Sequence, residues 1–381
     1  MPYARLVTTV IVSLLLVGCA TASRHPGSRI AIDREALLEG PPGLEVPEPE
    51  VNVLALDDEM RAFLAEKIPM GYSDKQKTRL LLEALFAGEG AKLRYNRVKT
   101  YTAIETFHAM EGNCLSFTNL FVAMAREVGL RAYFQEVETP ATWVDSGELY
   151  IASRHINVLL MYRLTADQVV DFDIYNFKQA YRREKISDKA ALAQYHNNMS
   201  IHWLLEGDHG QALAHQKLAI KLAPMNGYMW TNLGVVYSRS GYSDYAEAAF
   251  LTALTYSQDS MRAVNNLARL YEQQGNTELA AFYNRQAEAS QRRNPFYLYS
   301  LAKEHYANGE FPEARQALQD AISLQDTEHQ FYQLLGLTEL SMGEDDQARE
   351  SFKLALEYAR DPEEEKYYNR KLRLLAEHKT D

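Results

Sequence analysis

Cysteine is almost missing from this chain: Cys19 and Cys114 are the only two in 381 residues. The ten histidines come with no paired cysteines and no His-Glu-x-x-His run, so neither His209 with His215 nor His202 with His209 has the ligand set of a zinc site. No glycine-rich phosphate loop succeeds a strand pattern, which removes nucleotide binding of that kind. Basic clusters are lacking as well. The 40 Lys+Arg stand against 51 Asp+Glu for a formal charge of −11, and no stripe of positive residues could track a phosphate backbone. Metal, cofactor and nucleic acid are therefore not expected. The apolar stretch near the N-terminus, Val7 to Val17, is shorter than the about 20 residues that a membrane-spanning helix needs.

The borders of that stretch are informative. Arg5 supplies a sparse positive region, and Leu16-Val17-Gly18-Cys19 closes the apolar run with small residues before a cysteine. This resembles the lipobox of bacterial lipoproteins. The resemblance implies removal of residues 1–18 as a signal peptide and diacylglycerol attachment to the Cys19 sulfur. Two or three acyl chains hold a protein firmly on a bilayer. Ala20, where an aspartate would favour inner-membrane retention, points by the same analogy to the outer membrane, with the body of the protein facing the periplasm. Residues 19–52 then read as a lipid-anchored spacer. They carry Pro26, Pro41, Pro42, Pro47 and Pro49 and show neither helical nor alternating periodicity. A flexible chain of that length spans about 30 Å root-mean-square.

The C-terminal half has the strongest regularity. Glycines fall at 207, 241, 275, 309 and 343, each 34 residues from the last, and alanines keep the same phase at 212, 246, 280, 314 and 348. A second alanine ladder runs through Ala219, Ala253, Ala287, Ala321 and Ala355. This period resembles the tetratricopeptide repeat, most clearly in Trp230, Leu233, Gly234, Tyr237, Gly241, Ala246, Phe250 and Ala253. The resemblance implies five antiparallel helix pairs over 193–362, with glycine at each turn and alanine where helices approach closely. Glu339 and His305 depart from the aromatic seen at Tyr237 and Tyr271, which predicts weaker local packing. Residues 363–381 read as a capping helix whose Tyr367, Leu372 and Leu375 cover the open end. The concave face of such a stack would hold a protein partner. Asn198, Asn232 and Asn266, spaced by 34 on the first helix of successive units, form either a ladder for a peptide backbone or an internal packing feature.

Between these parts, residues 53–190 mix helices and strands. Helical spacing of apolar residues covers Leu54 to Ile68, Lys77 to Phe86 and Ala103 to Met110. Phe117, Leu120, Phe121, Met124 and Val128 continue at three- and four-residue steps to Gly129, so Cys114 opens a helix. There the unpaired backbone N–H groups and the dipole favour a thiolate. Gly112 is expected to let a substrate chain pass close to the backbone. Strands are expected at Leu130 to Val137, within Tyr150 to Tyr162, and at Gln168 to Phe172. Alternation puts His155 and Asn157 on one face of the second strand, and Asp171 and Asp173 on one face of the third. A thiol at a helix start, with histidine and carboxylate on successive strands, is what a papain-like thiol enzyme needs.

The order Cys, His, Asp and the segments Gly-Asn-Cys-Leu-Ser-Phe, Arg-Glu-Val-Gly-Leu-Arg-Ala, Arg-His-Ile-Asn-Val and Val-Val-Asp-Phe-Asp resemble the transglutaminase-like superfamily over roughly residues 75 to 180. The resemblance implies Cys114 as nucleophile, His155 as base and Asp171 as the orienting carboxylate, with Asp173 as the alternative. Ile156-Asn157 stands where many members place a tryptophan soon after the histidine, a departure that bears on acyl-acceptor chemistry rather than on the triad. The expected fold is an α+β transglutaminase-like (papain-like) domain followed by an all-α tetratricopeptide-repeat solenoid. The expected function is a membrane-tethered periplasmic thiol enzyme acting on amide bonds of a protein or peptide substrate, hydrolysis being favoured over transfer, with the repeats recruiting substrate or partner. The rival is a noncatalytic lipoprotein adaptor that binds polypeptides through both parts.

Overall fold

The computed structural model describes residues 32–42, 48–69, 71–87, 94–96, 99–137, 155–163, 165–172, 183–257, 260–359 and 362–377. Cys19 with the stretch before it, and Asp173, lie outside the described residues. Among those described, no helix is long and apolar enough to cross a membrane.

The first element departs from the expected spacer. Asp33 accepts from Ala36 N and opens a six-residue helix, α1 (Arg34–Glu39), which Gly40 ends at φ 89°. A helix this short is not stable alone. It forms because Leu37 is fully buried in the apolar core of the C-terminal helices. The Tyr237 hydroxyl donates to Leu37 O, the Lys217 ammonium donates to Glu39 O, and the Arg34 guanidinium lies 4.7 Å over the Tyr256 ring.

The α+β part comprises α2 (Asp58–Lys67), α3 (Asp74–Leu82) running into a π-helical turn (Glu83–Ala87), β1 (Arg94–Tyr95), α4 (Ala103–Ala109), β2 (Glu111–Gly112), α5 (Cys114–Glu127), β3 (Ala132–Val137), β4 (His155–Leu160), β5 (Gln168–Val170) and β6 (Arg183–Lys185). Helix α2 begins four residues after Leu54 because Asp57 caps it, accepting from Met60 N at 2.8 Å. Four strands form an antiparallel sheet in the order β5-β4-β3-β6. One face, with Phe134, Ile156, Val158 and Leu160, shares a core with Leu120, Phe121 and Met124 of α5. The opposite face carries His155 and Asn157, with Gln135 opposite Asn157 in register.

Beyond the sheet, the described residues form α6 (Asp188–Leu205), α7 (His209–Leu222), α8 (Gly227–Arg239), α9 (Ser243–Tyr256), α10 (Met261–Gln273), α11 (Thr277–Gln291), α12 (Pro295–Ala307), α13 (Phe311–Leu324), α14 (His329–Ser341), α15 (Asp345–Glu357) and α16 (Pro362–Glu377). They pair as five antiparallel hairpins and a terminal helix. Each hairpin turn holds its glycine at φ between 71° and 82°, a left-handed conformation that a side chain disfavours. The ten ladder alanines are at most 5% exposed, so it is their small size that sets how closely the helices approach.

Three details refine the expected repeats. Asn232 and Asn266 are buried, and Asn232 Nδ2 donates to Asn197 Oδ1 at 2.8 Å, so these amides belong to the packing of the stack rather than to a peptide ladder. Gln216 Nε2 joins them, donating to Asn197 Oδ1 and to Met229 O. In the cap, Tyr368 is the buried aromatic and Tyr367 is 37% exposed, one residue of helix rotation turning one ring in and the other out. Glu339, in an aromatic position, is buried with Ser351 Oγ donating to it at 2.6 Å, and burial pushes its carboxyl above the usual range.

No linker separates the two parts. Helix α6 crosses the expected boundary at 190–193 unbroken, placing Ala191 and Tyr195 in the α+β core and Ala193 in the solenoid core. Arg126 donates to both carboxylate oxygens of Asp188 at 2.6 and 2.8 Å, and Gln194 Nε2 donates to Glu136 Oε2 at 2.6 Å.

Across the first hairpin, His196 and His215 meet with their Nδ1 atoms 2.9 Å apart and exposures of 1% and 6%. Burial first, and then the charge of a neighbouring histidine, lowers both to about 4. An unfolded histidine binds its proton near 6.5, so the pair contributes stability that is complete above that pH and is lost as pH falls towards 4. Between pH 7 and pH 5 the loss should be about 2 kcal/mol per histidine. Urea unfolding at the two pH values measures it, and replacing both residues with glutamine should flatten the dependence. Separately, Leu37→Ala should cost about 2–5 kcal/mol. It should open residues 32–42 to limited proteolysis while the far-ultraviolet circular dichroism of the folded chain keeps its helical amplitude.

Candidate functional site

Cys114 is the first residue of α5, and the turn before it is fastened on two sides. Asn96 N donates to Gly112 O at 2.9 Å, and Asn113 N donates to Lys99 O at 3.1 Å. The Asn113 side chain caps the helix, accepting from Ser116 N at 3.0 Å while its Nδ2 donates to Thr100 Oγ1 at 2.6 Å. Ser116 Oγ in turn accepts from Tyr101 N at 2.8 Å. Such a shell holds the first turn of α5 in one place.

Gly112 serves this turn rather than a passing substrate chain. A Cβ built on it would lie 2.5 Å from Ser116 Cβ and 2.8 Å from Ser116 Oγ, so the chain's own serine fills the space. Glycine is needed because the helix start folds back over it.

His155 opens β4, and Asp171 directly succeeds β5. The pairing of Val158 with Val170 brings Asp171 beside Asn157 and into reach of the His155 ring. His155 Nε2 lies 2.9 and 2.8 Å from the two Asp171 carboxylate oxygens, and Asn157 Nδ2 donates to Oδ2 at 2.8 Å. The His155 and Asp171 side chains are only 9% and 6% exposed. With Nε2 directed at the carboxylate, Nδ1 is the ring nitrogen left, and Cys114 lies close enough to favour charge on the ring.

Of the three residues singled out in the sequence, His155 and Asp171 are in hydrogen-bond contact, and Cys114 is near enough to the ring to act on its charge. Burial opposes charge on His155, but Asp171 and then Cys114 favour it more, and together they raise the imidazole to about 10. Cys114 is a free thiol of intermediate exposure beside it.

A cavity of about 310 Å³ lies elsewhere, between Val51–Leu54, Asn119, Phe134 and the start of α6, and none of the three residues lines it. Asn157 is a polar contact that the motif alone did not single out. The signal available was its place two residues after His155, on the same face of the strand.

The repeats have a family counterpart. Residues 231–295 and 299–365 match the family model of the tetratricopeptide repeat. Comparison with curated proteins gives no match. Among solved structures, a MamA protein is 23% identical over 44% of this chain and 91% of its own, with a TM-score of 0.25. A MamA fragment from Desulfovibrio magneticus RS-1 is 20% identical over 45% of this chain and 96% of its own, at 0.26. A thermophilic tetratricopeptide-repeat protein of Thermus thermophilus is 20% identical over 47% of this chain and 97% of its own, at 0.25. Together with the helix pairs, turn glycines and alanine crossings, the family match identifies the C-terminal half of the chain as a stack of tetratricopeptide repeats.

Proposed function

We propose that the chain is a thiol enzyme that acts on an amide bond of a protein or peptide, using its repeats to recruit that polypeptide or a partner. The observation that carries this reading is the buried His155–Asp171 pair, with Cys114 at the start of α5 close enough to favour charge on the ring. Tetratricopeptide repeats are protein-binding scaffolds, so a polypeptide ligand fits both halves. The transglutaminase-like resemblance of residues 75 to 180 belongs to the same reading, as does a lipid anchor on Cys19 holding the body at the periplasmic face of the outer membrane.

The chemistry depends on where the proton rests. With the imidazole protonated, the sulfur attacks the amide carbonyl carbon, a C–S bond forms, and the charge passes to the carbonyl oxygen. First-turn amides of α5, that of Cys114 among them, are the donors available to such an oxyanion. Collapse breaks the C–N bond, and His155 gives its proton to the leaving amine. Water then attacks the thioester and passes a proton back to His155. Breakage of the C–S bond releases a carboxylic acid, and hydrolysis is favoured because water is abundant. Asp171 keeps the ring oriented through both steps.

Alkylation of Cys114 by iodoacetamide, read by mass spectrometry at that peptide, tests the reading. In His155→Ala the rate at pH 6 should fall about tenfold or more, because the sulfur loses its imidazole partner. Equal rates in both proteins would favour an adaptor that only binds polypeptides.

A further inference from the structure

We infer that Asn157 is a positioning residue of this site, acting on His155 through Asp171; the inference rests on the thiol-enzyme reading. Asp171 needs such help because it stands one residue past the end of β5, where the ladder no longer fixes it. Both of its oxygens lie within 2.9 Å of the same ring nitrogen, so the imidazole by itself does not select one orientation of the carboxylate. The Asn157 amide does. A carboxylate only accepts, so it is Nδ2 that faces Oδ2, and this 2.8 Å bond turns that oxygen to a defined place between the two strands.

The position is also costly in a way that packing alone would not retain. Asn157 has 0% exposure, and its Oδ1 has no hydrogen-bond partner among the described residues. Gln135, opposite it in the β3–β4 register and 7% exposed, likewise has an Oε1 without a partner among the described residues. An apolar residue on β4 would avoid leaving a buried acceptor unpaired. The donor end of the amide, not its volume, is what the site uses. In a chain whose resemblance expects a tryptophan near this point, the asparagine gives the carboxylate a partner that an aliphatic side chain lacks.

The test compares wild type, Asn157→Leu and Asn157→Ser in the full chain, measuring iodoacetamide alkylation at Cys114 from pH 5 to pH 9. Leucine keeps the size and removes the donor; serine keeps a donor in a smaller side chain. The rate profile of Asn157→Leu should move to higher pH, with a loss of about tenfold at pH 6 and little change at pH 9. Asn157→Ser should fall between it and wild type. Circular dichroism melts establish that each variant is folded, and if the leucine variant is not, the serine variant carries the comparison. Profiles that coincide with wild type in folded variants overturn the role of Asn157 while leaving the His155 effect intact. A wild-type profile that His155→Ala does not alter overturns the thiol reading, and this inference with it.

Discussion

Helix α6 belongs to two cores at once, and the arrangement of the molecule depends on that. Its first turns bury Ala191 and Tyr195 against the sheet, while Ala193 and the residues facing α7 start the solenoid. One continuous helix has no hinge of its own, so the first repeat and the α+β part share a fixed geometry for as long as α6 is helical. Arg126, through both oxygens of Asp188, and Gln194 add polar contacts across the same junction. An N-terminal segment, Ile32 to Gly40, lies against α7, α8 and α9, so that the chain is tied down before as well as after the sheet.

The solenoid is legible in the sequence because each of its constraints recurs. A left-handed turn needs glycine and a close helix crossing needs alanine, and both needs return every 34 residues. Sequence and structure part where a single residue decides the outcome. The asparagine ladder has the right period, but Asn197, one place before Asn198, is the residue whose amide meets Asn232. Tyr368 replaces Tyr367 in the cap, again an offset of one residue. Helix α1 escapes the pattern because six residues show too little periodicity among prolines, although its ends, Asp33 and Gly40, are ordinary start and stop signals.

At the candidate site the sequence reveals that His155 and Asp171 share one region of the sheet and less of their geometry. That Cys114 begins a helix is readable from the apolar spacing after it, and that His155 and Asp171 lie on adjacent strands is readable from alternation and short connections. Two contacts are not readable. The purpose of Gly112 depends on Ser116 folding over it, a contact between turns that no periodicity announces. The partnership of Asn157 with Asp171 depends on strand register, which sets which residue of β4 meets the end of β5.

The solenoid is not uniform along its length. One apolar core runs from Leu37 to Ala287, and the next starts at Leu298, with Gln291, Arg292, Arg293 and Asn294 between them. Helix α12 buries only Leu298 and Ala302, whereas α8 buries ten residues from Gly227 to Tyr237. In a linear array each unit draws stability from its neighbours, so a thin interface is where cooperativity is weakest. The first three hairpins, bonded to α1 and to the sheet through α6, form the block tied to the candidate site. The last two hairpins and α16 rest more on their own cores, in which His329 pairs with the Tyr368 hydroxyl at 2.6 Å and closes the end of the stack. A protein partner lying along the repeats would meet a surface that is firmly held beside the sheet and more easily displaced at the far end of the stack.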